Sequence, residues 1–283
     1  MSTELTLSPD ELAIMQADKE KMGNRFPTIP QIRLSNTDMK QAPEGEYFIQ
    51  KGYGEEVEVT PIGLKPEVVI LYRTYTYSYT TKEDGLIAWT SDIHGFGALD
   101  TVTLYKKVGG KVEIAFDGSY PEFKIIKDKQ FTSIDPVTGR KKCLLKFKNV
   151  LYVSYNNEVY KMFVSNASSS GVDAEGNLSF EKPKEQSLQL FFDALWRDKE
   201  ISYQYKIMLG SELINGSKPY YIMKFEVLGQ QGVEDLKMSI RLSQQVQKSI
   251  FIIDAARKEY NKKDDQEPIH AGEGSVSVED LPF

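Results

Sequence analysis

The sequence predicts a mainly β protein with flanking helices (α+β), its strands closing or partly closing into a barrel. Three observations carry that expectation. Val68 to Thr80 runs without a Gly or Pro and is rich in β-branched and aromatic side chains. Short segments of similar character recur along the chain, separated by turn residues. Helical spacing of apolar residues is confined to the two ends and one segment between strands.

Taken in order, Ser8-Pro9-Asp10-Glu11 is a helix start, with Ser8 as cap and Leu7 and Leu12 as a hydrophobic staple. The helix runs to Met22 and stops at Gly23-Asn24. Phe26 to Leu34 is extended and broken by Pro27 and Pro30. Pro43 to Glu46 turns into a strand at Tyr47 to Gln50. After Val68 to Thr80, strands are expected at Leu86–Trp89, Thr101–Lys106, Val112–Phe116 and Phe123–Ile126. Cys143–Tyr155 and Glu158–Ser165 form a hairpin around Asn156-Asn157, a pair that tolerates positive φ. Residues 166–180 are rich in Ser, Gly and Asn and read as a mobile loop. Lys184 to Trp196 is helical through Leu188, Phe191, Phe192 and Leu195. Strands follow at Ser202–Leu209 and Tyr220–Leu228, around a turn at Asn215-Gly216. A last helix from Gly232 to about Lys263 carries Leu242, Val246, Ile250 and Ile253 on one side. The division is thus 1–24 (helix), 25–263 (β-rich domain with its closing helix) and 264–283 (acidic tail).

The formal charge of −6 is segregated. Residues 264–283 hold six acids and no Lys or Arg, so residues 1–263 balance at 35 acidic and 35 basic. Removing residues 1–24, with five acids and two bases, leaves +3 on residues 25–263. One cysteine, Cys143, permits no internal disulfide, and no signal peptide or membrane span is read, so a cytoplasmic location is expected. His94 and His270 with one Cys make no typical zinc site, and no phosphate loop or dinucleotide motif occurs. No catalytic group, metal or cofactor is expected, and the chain does not read as an enzyme.

Two features suit a nucleic-acid strand. Strict alternation in Val68 to Thr80 puts Val69, Leu71, Arg73, Tyr75, Tyr77 and Tyr79 on one face, a ladder for stacking bases or for packing a core. From Lys124 to Lys148, eight basic residues (Lys124, Lys127, Lys129, Arg140, Lys141, Lys142, Lys146, Lys148) stand against two acidic ones. Lys146 and Lys148 flank Phe147, so their ammonium groups share one face, either for phosphates or as a solvated surface. An OB-fold is the architecture that joins a small barrel to single strands.

The tail ends in Glu279-Asp280-Leu281-Pro282-Phe283. This end resembles the acidic C-terminal tip of bacterial and phage single-stranded DNA-binding proteins. More loosely, Phe26-Pro27-Thr28-Ile29-Pro30, Pro43 to Phe48 and Trp89-Thr90-Ser91 resemble the larger OB-fold binders of phages. The resemblance implies single-stranded DNA as ligand and a role in replication or recombination. It also implies that Asp280, Leu281, Pro282 and Phe283 recruit replication or recombination proteins. The rival expectation is a β-rich phage structural or assembly protein without nucleic-acid binding.

Overall fold

The computed structural model describes residues 29–36, 42–52, 57–81, 85–134, 136, 139, 141–172, 178–179, 183–215 and 219–264. The helix expected at Pro9 to Met22, Arg140, and the tail with Asp280, Leu281, Pro282 and Phe283 lie outside them.

The organising element is β4 (Glu67–Thr81), whose β-branched and aromatic residues suit a pleated surface packed on both sides. Along one edge it pairs with β10 (Lys146–Tyr155). Its other edge is divided. The start meets β12 (Tyr205–Ile214), Tyr75 bridges to Ile93, and the end pairs with β5 (Gly85–Thr90). From β10 the sheet continues through β11 (Glu158–Val164), β1 (Gln31–Leu34), β2 (Tyr47–Lys51) and β3 (Glu58–Gly63). From β5 it continues through β6 (Thr101–Val108) and β7 (Lys111–Ser119). β13 (Tyr220–Gln230) pairs with β12, and among the described strand pairs β1–β11 alone is parallel. Asn156 and Asn157 turn the β10–β11 hairpin at φ 50° and 63°, which a two-residue hairpin turn requires.

This is one large mixed sheet, and no closed barrel forms among the described residues: β3 and β7 end it as edges. The sheet nevertheless curls. Tyr47 Oη donates to the Gly210 carbonyl at 2.6 Å and Ser211 Oγ to the Gly45 carbonyl at 2.8 Å. Side-chain bonds, not a ladder, thus tie the β12–β13 hairpin to the turn before β2. Inside the curl lies the largest core, including Ile32, Tyr47, Ile70, Leu151, Met162, Ile207 and Phe225. It is closed by Leu188, Phe191 and Leu195 of α3 (Leu188–Asp198), which Ser187 caps. Each such side chain removed from water contributes about 1.5–3 kcal/mol, so this cluster dominates the apolar stabilisation.

The opposite face of β4 and β10 is covered by α4 (Val233–Asp264), a helix of 32 residues and so about 48 Å long. Leu242, Val246 and Ile250 pack on Val69, Leu71, Val150 and Tyr152. Ser243 Oγ donates to the Leu71 carbonyl, and Lys258 pairs with Asp117 of β7 at 2.7 Å.

Three expectations are corrected. Phe123–Ile126 is helical, within α1 (Tyr120–Gln130), because Ser119 donates its N–H and hydroxyl to Glu122 and Pro121 starts the helix. Asn166–Ser170, placed in a loop, forms the short helix α2, capped by Ser165, with Ser168, Ser169 and Ser170 buried. The strict alternation of β4 fails at Leu71, where the pairing steps from Tyr72↔Tyr152 to Ile70↔Val153. That bulge puts Arg73, opposite Leu151, on the side of Val68 and Ile70, and leaves Val69 and Leu71 facing α4. Two strands, β3 and β8 (Thr132–Ile134), escaped the reading altogether. The strand expected from Cys143 begins only at Lys146, Cys143 instead ending β9 (Lys141–Cys143), which pairs with β8.

Candidate nucleic-acid interface

Beyond the bulge, β4 alternates regularly, so Arg73, Tyr75 and Tyr77 share a face with their cross-strand partners Leu151, Asn149 and Phe147 of β10. Asn149 Oδ1 accepts from both Nε and one Nη of Arg73, at 2.9 and 2.6 Å. This fork fixes the guanidinium over the rings of Tyr75 (4.9 Å) and Phe192 of α3 (4.3 Å). Burial draws the Arg73 pKa down from its ordinary value, opposed by Tyr75 and Asp193.

From Arg73 an aromatic surface runs along the strand. Tyr75 stacks on Phe147 at 5.4 Å and meets Phe96 at 4.5 Å. Tyr77 meets Phe147 edge-on at 5.3 Å and Phe123 at 5.5 Å, and its hydroxyl lies 3.3 Å from that of Tyr120. Phe96 lies 4.9 Å from the Tyr120 ring and is 45% exposed. Lys127 of α1 sits over the Tyr77 ring at 5.6 Å. Burial and the Tyr120 bond push the Tyr77 hydroxyl well above its ordinary pKa, so it stays neutral. These rings belong partly to the core beneath α1, formed by Ala88, Ile93, Leu104, Phe123 and Leu145, and partly to the surface. The ladder is therefore neither wholly core nor wholly platform. Tyr79, opposite Ala88, is half-buried on the same core.

The basic residues divide. Lys146 and Lys148 do share a face, but they stand opposite Ser78 and Thr76, on the far side of the sheet from Phe147. β11 pairs with β10 only from Asn149 onward, so the edge of β10 at Lys146–Lys148 lacks a β11 partner. A cleft of about 480 Å³ opens there, reached by Tyr77 and Phe147 from one face and by Lys146 and Lys148 from the other, with Lys127 beside them. A second cleft of about 240 Å³ adjoins it through Lys148 and Ser165 and is lined by Arg33, Phe163 and Tyr221. Among the described residues, four cations (Arg33, Lys127, Lys146, Lys148) and no Asp or Glu line the two clefts. Lys127 has a carboxylate within reach, that of Asp128 at 3.0 Å. Lys124 is exposed on α1, and Lys141 and Lys142 are exposed on the β8–β9 ribbon, outside the lining of both clefts.

Arg33, Phe96, Tyr120, Phe147 and Phe192 were not expected as site residues. Phe147 carried a signal, being flanked by Lys146 and Lys148. Phe96 sits in Gly95-Phe96-Gly97, where the glycines are legible but the ring's position is not. His94 lies elsewhere: its Nδ1 is 3.0 Å from the Tyr72 hydroxyl and its ring stacks on Phe251 of α4 at 4.8 Å. Among the described residues no group of three or more His, Cys, Asp or Glu is placed to hold a metal ion, and no helix is long and apolar enough to cross a membrane. No family model, no curated protein and no solved structure matches this chain.

Proposed function

We propose that this protein binds single-stranded DNA without strong sequence preference and acts in phage or bacterial replication or recombination. The observation that carries the reading is the pair of adjoining clefts, lined among the described residues by four cations and no carboxylate, beside a half-exposed run of aromatic rings. Phosphates follow the cations at the open edge of β10, and bases stack on Phe96, Tyr75, Phe147 and Tyr77. The two chemistries meet only at that edge, which suits one strand better than a duplex. Its bases are free to turn toward the rings while its backbone stays with Lys146 and Lys148. No nucleophile, metal or cofactor is part of the proposal. We read the curled sheet and its β12–β13 hairpin as an elaborated OB-like body. The acidic tip Asp280 to Phe283 is the element for partner proteins, on the strength of its resemblance to other single-strand binders.

The test is binding of oligo(dT) at several salt concentrations, followed by fluorescence anisotropy. Affinity should fall as salt rises, through counterion release. Tyr75→Ala and Phe147→Ala should each weaken binding by about 1–3 kcal/mol, the contribution of one stacked base, while near-ultraviolet circular dichroism shows the fold intact. Absence of binding by the wild-type protein at low salt would refute the proposal.

A further inference from the structure

We propose that the smaller cleft, between β1, the first residues of β10 and β13, is a phosphate site. It seats one oxyanion on Lys148 and Arg33. The inference rests on the single-strand reading for the source of the phosphate, a backbone phosphodiester, but not for the site's chemistry.

Lys148 is the centre of the case. Its side chain is half-buried, its ammonium lies 5.8 Å from the centre of the Phe163 ring, and no described residue offers it a carboxylate or a hydrogen bond. Four other part-buried lysines are neutralised: Lys127, Lys161, Lys224 and Lys258 reach carboxylates at 3.0, 3.2, 2.7 and 2.7 Å. Lys148 instead has cations as its charged neighbours. Burial, then Lys146 and Arg33, lower its pKa. A partly desolvated ammonium beside like charges is unfavourable unless an anion joins it.

The rest of the lining suits an oxyanion. Arg33 is oriented by its bond to Gln50 Oε1 at 2.6 Å and by the Phe48 ring at 6.0 Å, and its planar guanidinium donates in a fork that matches phosphate oxygens. Gln31, Asn36, Ser165 and Tyr221 add neutral polar groups. The two clefts share Lys148 and Ser165 in their linings, so a phosphate seated here would lie next along the path of a strand stacked on Phe147 and Tyr77.

Two measurements on the full chain test the site. Inorganic phosphate, titrated at low ionic strength against a chloride control, should shift the amide resonances of Phe163 and Ser165. The shifts should vanish in Lys148→Gln and persist in Lys148→Arg. Separately, Lys148→Gln and Arg33→Gln should each flatten the salt dependence of oligo(dT) binding by about 0.7 in log–log slope, the loss of one single-strand phosphate contact. Phosphate shifts without any oligo(dT) binding would support the site and refute the single-strand reading. Oligo(dT) binding with unchanged slopes and no phosphate shifts would refute the site and leave the reading standing. Arg33→Gln keeps the test decisive should Lys148→Gln fail to fold.

Discussion

Gly45 shows how one residue holds two distant parts of the chain together. It occupies φ +79° in the turn before β2, a conformation that L side chains rarely adopt. A Cβ there would lie 2.8 Å from Cε1 of Tyr221 on β13. The Gly45 carbonyl also accepts from Ser211 of β12, so the turn is where the curl of the sheet is fastened. Gly45→Ala should therefore destabilise the protein by about 1–3 kcal/mol, combining backbone strain with the clash. Urea denaturation measures it, and a cost below about 0.5 kcal/mol would show that the turn relaxes freely. Tyr75 and Phe147 illustrate a different economy. Their rings touch both the core under α1 and the surface, so truncating either tests binding and packing at once, and the two effects must be separated spectroscopically.

Among the elements, α4 has the most distinctive footing. Its first half packs by apolar side chains, whereas its second half lies on a polar network. Tyr152 donates to Asp92, and Lys161 pairs with Asp92 at 3.2 Å. Asp254 of α4 joins this network and its carboxyl is pushed up to about 7, first by burial and then by Asp92, against Arg257, Lys161 and Lys258. Tyr152 on β10, Tyr105 on β6, His94 after β5 and Asp117 on β7 are the other titratable groups around that half of the helix. The folded chain thus holds this proton more tightly than the unfolded chain, whose carboxylate titrates near ~4. Its contribution to stability falls as pH rises from about 4 to about 7, and is level above that. Asp254→Asn should remove that fall. Its melting temperature, compared with that of the wild type at pH 5 and pH 8, should gain relative ground at the higher pH. Parallel curves for the two proteins would show that Asp254 is not the titrating group.

The whole molecule is organised by charge. The acidic pI belongs largely to the last twenty residues, which carry six acids, while residues 25–263 carry +3. On the proposed single-strand reading, six acids on so short a tether would compete with DNA for the basic clefts. A chain ending at Lys263 should therefore bind oligo(dT) more tightly than the full chain at low salt, with the difference shrinking as salt rises. Equal affinities at low salt would show that the tail does not reach the groove.

Much of this molecule was legible from local pattern. β4, the Asn156-Asn157 hairpin, α3 and α4 all follow from periodicity, turn residues and caps, because those signals arise between residues near in sequence. The charge segregation needs only counting. α1 was misread as a strand at Phe123–Ile126, because its apolar residues also suit a strand; the signal that decides for a helix is the cap in Ser119-Tyr120-Pro121-Glu122. What local pattern cannot supply is register. A single bulge at Leu71 moves Arg73, Tyr75 and Tyr77 to the side of Val68 and Ile70, because strand faces alternate with period two. Nor does the sequence place Arg33 beside Lys148, since that juxtaposition depends on β11 ending one residue short of Lys148 and on β13 folding back across the sheet. Residue types and segments are fixed by short-range chemistry. The site is fixed by which strands lie side by side, and that is settled by burial of a shared core.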